Sequence, residues 1–366
     1  NALPLAKGAR RILIVGGNAN IGVLSGGGSS QVHGVGGPVG SVSMVRGDAM
    51  FSHFLTQQYQ GKAPLDAIKA VSPEATVAYR DGAYVSEAVE QARRADLVIL
   101  FANSWSTEGF DRPDLTLPNG QDALIAAVAG ANANTIVVLQ TGNPVTMPWL
   151  EKTAAVLQAW YPGSRGAEAI ASVLFGETNP SGRLPITFPA LESQLPRPKI
   201  DGMAFVEPHF IGNPPTPDTK LVADYDIEGS DVGYRWFARK QYKPLFPFGF
   251  GLSYTSFALS GLRVQGLKAD FQVANTGTRA GATVGQVYLV SRNGRQMQRL
   301  AGFGRVELKP GEARKVSVRI DPRLLADWKD GKWVVEGGTY SFALGDNAEA
   351  LGPKIEVRIP RRVWAN

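Results

Sequence analysis

Apolar positions along the chain follow two periods in turn. Arg11–Gly17 (RILIVGG) is a short apolar run closed by glycines, the pattern of a strand buried on both faces. Asp96–Ala102 (DLVILFA), Thr135–Gln140 (TIVVLQ), Ala155–Ala159 and Ala75–Tyr79 predict further strands. Between them, Ala63–Val71, Gly120–Ala131 and Gly166–Phe175 read as helices, and Val85–Ala95 as an amphipathic helix with Val85, Ala88, Val89 and Ala92 on one face. This alternation predicts a layered α/β sandwich with a mainly parallel sheet. From about Leu195 to Pro247 the pattern dissolves among prolines, and no regular element is expected. Beyond Tyr254 the chain shortens its period to two. Phe257–Val264, Ala269–Asn275, Gly285–Ser291, Gln298–Val306, Arg314–Ile320, Trp333–Val335, Thr339–Leu344 and Ile355–Ile359 predict strands of a small all-β sandwich, with turns at Asn275–Gly277 and Asp346–Asn347. The expected layout is therefore an α/β domain over 1–200, a Pro-rich crossing segment over 201–255 and a β-sandwich over 256–366.

Composition narrows the classes of function. With 366 residues, 44% hydrophobic and 19% charged, the chain is long enough for two or three folded domains. No uninterrupted apolar run is long enough to cross a membrane as a helix, so no membrane partner is expected. Cysteine is absent, which excludes disulfides and thiolate chemistry. The three histidines, His33, His53 and His209, lack ligand spacing, so neither a metal nor another cofactor is expected. The net charge of +6 is unevenly spread: from Ser256 onward there are 18 Lys and Arg against 10 Asp and Glu, and before it 20 against 22. That shift supports a boundary near 255. No dense basic run with interleaved aromatics appears, which argues against a nucleic-acid partner.

Two segments carry candidate chemistry. The glycines Gly16–Gly17 and Gly26–Gly28 follow a strand but fit neither a dinucleotide fingerprint nor a phosphate loop. They form either a plain connection or an exposed turn at the sheet's carboxyl edge, where Ser25, Ser29 and Ser30 offer hydroxyls to a polar ligand. The second segment, Ser104–Arg112, follows the strand Asp96–Ala102. It holds Trp105, which can stack on a sugar face, the carboxyl of Glu108 beside a glycine, and the pair Asp111–Arg112. Glycoside cleavage needs a carboxylic acid to protonate the leaving oxygen. A serine-hydrolase reading fails because there is no G-x-S-x-G elbow.

Several strings together resemble glycoside hydrolase family 3. They are VLSGGGSSQV (Val23–Val32), TEGFDRPDLTLPNGQDALI (Thr107–Ile125), GNPVTMPWL (Gly142–Leu150), LQAWYPGSRGAEAIASVLFGETNPSGRLPITFP (Leu157–Pro189), YDIEGSDVGYRWF (Tyr225–Phe237) and PLFPFGFGLSYTSF (Pro244–Phe257). They cover roughly residues 10 to 260 in the family's order, and the remainder resembles its fibronectin-III-like domain in position and strand pattern. The resemblance implies a retaining, exo-acting β-glucosidase. An Asp on an N-terminal (β/α) barrel would be its nucleophile, and Glu108 its general acid, then base. It implies Ser29, Ser30 and Trp105 as substrate contacts and a β-glucoside or oligosaccharide as substrate. Asp111 and Arg112 would brace the loop as a charge-assisted pair. Trp149, Trp160 and Tyr161 sit in apolar runs and are expected to pack. No Asp of this chain matches the nucleophile, so the chain is expected to work with a barrel domain or chain. Its residue 1 falls where the family's interdomain linker would end. β-Xyloside or exo-β-glucan cleavage remains an alternative, as do a non-catalytic carbohydrate-binding or scaffolding module and an interaction domain built on the basic sandwich. Homodimer formation is left open. A periplasmic or secreted location fits a polymer-processing hydrolase, although no export signal or N-glycosylation sequon supports it.

Overall fold

Strands that read as continuous apolar runs should be covered on both faces, and the computed structural model bears this out. It describes residues 2–6, 8–29, 31–44, 55–108, 112–199 and 222–365. The chain divides into two compact units, Asn1–Thr178 with Arg197–Ala223, and Asn179–Pro196 with Asp224–Asn366. In the first unit the elements run β1 (Arg11–Val15), β2 (Val23–Ser25), β3 (Gly40–Ser43), β4 (Thr56–Gln60), α1 (Pro64–Val71), β5 (Thr76–Arg80), α2 (Val85–Arg94), β6 (Leu97–Ser104), α3 (Gln121–Ala131), β7 (Thr135–Thr141), β8 (Ala155–Gln158) and α4 (Gly166–Leu174).

Five of these strands form a parallel sheet in the order β5-β1-β6-β7-β8. Ile12, Ile14, Ile99, Phe101, Ile136 and Val138 pack with α1 and α4 through Ala67, Ile68, Ala167, Ile170 and Leu174. Strand residues alternate between faces, so Leu13, Val98, Leu100, Val137 and Leu139 point to the opposite side, where α2 and α3 pack on each other and on the sheet. On α2 the buried face is Ala88 and Ala92. Val85, which the helical period put on the same face, is exposed. After β5 pairs on one side of β1, the chain crosses to place β6 on the other. The order of strands thus reverses between β1 and β6, and open α/β sheets bind ligands outside the carboxyl ends at such a point.

A second, antiparallel sheet, β2-β4-β3, was not expected. Its strands are short, and Thr56–Gln60 reads TQQYQ, without an apolar alternation.

The second unit has a 3-10 turn at Glu192–Gln194 that precedes α5 (Tyr234–Lys240). It continues with β9 (Phe257–Gln265), β10 (Lys268–Asn275), β11 (Gly281–Arg292), β12 (Arg295–Leu308), β13 (Ala313–Arg319), β14 (Asp327–Lys329), β15 (Lys332–Val335), β16 (Gly338–Gly345), β17 (Ile355–Ile359) and β18 (Arg362–Trp364). Antiparallel sheets β13-β10-β9 and β12-β11-β16-β17 share one core that includes Phe271, Val273, Val287, Leu289, Tyr340 and Phe342, and β14-β15-β18 forms a third sheet. The α/β region followed by an all-β region is the architecture expected from the sequence. Helix α5 corrects the reading of Leu195–Pro247 as lacking regular structure. It buries Trp236 and Phe237, and the Trp236 indole donates to the Gln194 carbonyl at 2.8 Å. At seven residues it is too short to show a helical period.

Candidate active site

Strand β6 delivers its last residue, Ser104, to the carboxyl edge of the parallel sheet in a fully buried state. The base of the loop that follows is tied on two sides. Asn103 donates from its side chain to the Gly17 carbonyl at 2.7 Å, and its backbone exchanges bonds of 2.8 Å with the Gln121 amide. Arg112, on the returning limb, donates to the Ser104 hydroxyl and to the Thr116 carbonyl, the latter at 2.9 Å. Its expected partner Asp111 lies outside the described residues, as does Ser30.

The glycine run explains itself once it is placed. Gly26, Gly27 and Gly28 lie directly against the loop that carries Glu108. A Cβ on Gly26 would meet the Tyr161 ring at 2.9 Å, one on Gly27 the Thr107 hydroxyl at 2.5 Å, and one on Gly28 the Glu108 Cβ at 2.4 Å. The Gly27 amide donates to the Ser106 carbonyl at 2.9 Å, holding the two segments side by side. Gly28 also has φ +89°, a conformation that side chains other than glycine's rarely adopt.

That seat brings the Ser29 amide to 2.8 Å from Glu108 Oε2. Glu108 is exposed, and the Ser29 hydroxyl, followed by the Ser29 amide, holds its carboxyl below the usual range. Glu108 therefore stands ionised at neutral pH in this chain by itself.

Glu108 opens onto a cleft of about 580 Å³ along the carboxyl edge. Gly26, Gly27 and Ser29 line it from one side, Ser106 and Thr107 from the loop after β6, Thr141 and Gly142 from the carboxyl end of β7, and Trp160 and Tyr161 from the turn after β8. The buried Thr107 hydroxyl has no protein partner. Glu108 is the only carboxylate among the described residues lining the cleft. Trp105 is not in the lining: it lies behind Gly27, whose Cβ would sit 2.7 Å from its ring. Trp149 is buried and donates to Asp122 at 2.7 Å, as packing requires.

Trp160 and Tyr161 are the residues that the sequence reading placed differently. Both stand in the wall of the cleft rather than in the core. Trp160 has φ +53°, a left-handed conformation that costs a bulky residue about 1–3 kcal/mol and persists only where its surroundings hold it. Their position just past a strand's carboxyl end was the available signal, but an aromatic pair in an apolar run reads as packing. Among the described residues no group of three or more His, Cys, Asp or Glu is placed to hold a metal, and no helix is long and apolar enough to cross a membrane.

Comparisons with known proteins converge on one family. The profile of the glycosyl hydrolase family 3 C-terminal domain matches residues 1–254, and that of a fibronectin type III-like domain matches residues 283–348. A β-glucosidase of Rhizobium radiobacter is 39% identical over 320 residues, 82% of this chain and 37% of that protein. β-Glucosidase B of Emericella nidulans is 39% identical over 296 residues, covering 75% of this chain and 34% of its own length. The chain thus spans little more than a third of these curated relatives. Among solved structures, a β-glucosidase from Streptomyces venezuelae in complex with D-glucose superposes with a TM-score of 0.77 at 30% identity, over 98% of this chain and 57% of that one. A β-glucosidase from Kluyveromyces marxianus in complex with glucose has a TM-score of 0.67 at 33% identity, over 78% of this chain and 34% of that one.

Proposed function

The chain belongs to glycosyl hydrolase family 3, whose C-terminal domain it carries, and from that premise we propose that it supplies the acid/base half of a retaining, exo-acting β-glucosidase, with Glu108 as the group that transfers the proton. The observation that carries this reading is the seat of Glu108. A lone carboxylate is presented at the sheet's carboxyl edge by a loop tied down on both limbs, in an open cleft walled by two aromatics. The named activity of the relatives favours a terminal β-glucosyl residue as substrate.

A retaining mechanism needs a second carboxyl group about 5–5.5 Å away. In this reading it comes from the N-terminal barrel. The exposed apolar side chains of Val32, Val35, Val39 and Val42, beyond the glycine run, suit a surface that another domain covers. The charge logic then follows. Alone, Glu108 is ionised at neutral pH as an exposed carboxyl is, and Ser29 stabilises its carboxylate further. An approaching anionic nucleophile, together with loss of solvent, raises its pKa and gives it the proton that the leaving oxygen requires. Once the nucleophile is esterified its negative charge is gone, the pKa of Glu108 falls back, and the carboxylate that Ser29 supports takes a proton from water.

Replacing Glu108 by Ala in the intact enzyme, barrel included, should lower kcat/KM for aryl β-glucosides with poor leaving groups by about 10²- to 10⁴-fold. Azide should restore turnover of substrates with good leaving groups by forming the glycosyl azide. Full activity in Glu108→Ala would remove it from the acid/base role.

A further inference from the structure

Tyr161 stands in the wall of the cleft, but its hydroxyl is engaged with the backbone behind it. Its hydroxyl donates to the Ser104 carbonyl at 2.7 Å and accepts from the Ser106 amide at 2.8 Å. These two groups flank Trp105, at the point where β6 ends and the loop to Glu108 begins. The ring is wedged between two glycines: a Cβ on Gly26 or on Gly142 would approach it to 2.9 Å. The backbone reaches this position through the left-handed turn at Trp160, immediately after the Ala159 amide makes its bond of 2.8 Å to the Leu139 carbonyl. Strain of this kind is retained where the arrangement it produces is used. Burial also pushes the Tyr161 hydroxyl's pKa up, so it stays a donor across the working pH range.

We propose that Tyr161 is a positioning residue for the acid/base, a clamp between the carboxyl ends of β8 and β6 that sets the height and direction of the Glu108 loop. Three features carry it: one hydroxyl bonded to both sides of the loop's first residue, two glycines that admit the ring, and the strained residue that delivers it. Glu108 lies only two residues past the clamped amide, and the Gly27–Ser106 bond transmits the same constraint to the Ser29 segment. The inference rests on the reading of Glu108 as general acid and adds a residue that acts through it.

The test uses the intact enzyme and two β-glucosides, one with an alkyl leaving group and one with 2,4-dinitrophenolate. kcat/KM reports the first step, in which an alkoxide needs a proton from Glu108 and dinitrophenolate does not. For Tyr161→Phe, which keeps the ring and removes the clamp, we expect a loss of about 10- to 100-fold on the alkyl glucoside and within about threefold on the dinitrophenyl glucoside. A merely structural tyrosine predicts equal losses on both, and that result overturns the proposal. Glu108→Ala is measured in parallel. If it shows no dependence on the leaving group, the acid/base reading itself fails. If it does and Tyr161→Phe does not, only the clamp fails. Should Tyr161→Phe not fold, Gly142→Ala decides: its Cβ would meet both the ring and the hydroxyl of Tyr161 at 2.9 Å and push the hydroxyl off its two backbone partners while the residue stays tyrosine, and the same unequal losses are expected from it.

Discussion

Glu108 in the α/β unit and Asp327 in the β unit are both carboxylates held by hydrogen bonds, yet their surroundings differ in kind. Asp327 is paired with two guanidinium groups, Arg292 at 2.6 Å and Arg299 at 3.6 Å, whose side chains are only 10% and 17% exposed. Burial pushes its pKa up, but the bond and charge of Arg292, with the charges of Arg299 and Lys329, outweigh that and leave it below the usual range. Glu108 meets no cation among the described residues and is steadied by an uncharged serine. An acid walled in by arginines cannot hold a proton near neutral pH, so it serves the fold. An acid steadied only by a neutral partner takes its protonation state from whatever approaches it, which is the property a proton donor needs.

Removing Asp327 is the strongest way to break this comparison. Asp327→Ala strands two largely buried guanidinium groups without their counter-ion and should destabilise the protein by about 2–3 kcal/mol, read as a lower denaturant midpoint. Activity of the folded fraction should be unchanged. Glu108→Ala should show the reverse, since an exposed carboxylate contributes little to stability. An unchanged midpoint in Asp327→Ala would mean that the two sites are not of different kinds.

A smaller effect is expected from the glycine that seats Glu108. Gly28→Ala combines a left-handed φ of +89° with a Cβ 2.4 Å from the Glu108 Cβ and 2.8 Å from its amide nitrogen. If Glu108 is the acid/base proposed above, displacing it on that scale should cost about 10- to 100-fold in kcat/KM. Gly311, in the turn before β13, is the control: its φ is +75° and a Cβ there would meet nothing within 4 Å. Gly311→Ala carries a similar backbone strain, about 1–2 kcal/mol, and should leave turnover alone. Equal loss of activity in both would assign the effect to strain rather than to contact with Glu108.

These glycines also show where the sequence stopped being legible. The parallel sheet could be read because β1, β6 and β7 are near-continuous apolar runs, a pattern produced by burial on both faces. The β unit could be read because its strands alternate, as Lys268–Asn275 does between buried and less buried positions. Glu108 drew notice as a carboxyl past a strand's end. The triplet Gly26–Gly28 was visible, but not its purpose, because close approach depends on a segment some 80 residues away in the chain. The same limit hid Tyr161. Its hydroxyl partners are backbone atoms of Ser104 and Ser106, and backbone bonds leave no trace in residue type. Sheet β2-β4-β3 escaped because Gln57, Gln58 and Gln60 hold strand positions that an apolar pattern would mark.

The smallest expected effect concerns pH, and its sign can be derived. Asp270 of β10 has its pKa held at about 2 by the Ser317 hydroxyl first, then by Lys315 and Lys268, which stand 3.1 and 3.4 Å away. In the unfolded chain an aspartate titrates near ~3.9. Between these values the unfolded state binds a proton that the folded state does not, so stability rises with pH across this window. The contribution of Asp270 is complete above about pH 4 and is lost as pH drops through the folded pKa of about 2. Asp270→Asn should therefore melt below the parent protein at neutral pH, and the gap should close on acidification through that window. Glu108, with its pKa lowered in the same direction by Ser29 alone, should show a much smaller gap in Glu108→Gln at every pH. A gap for Asp270→Asn that widens toward pH 2 would reverse the sign of the argument. A large gap for Glu108→Gln would place Glu108 among the structural acids, with Asp327.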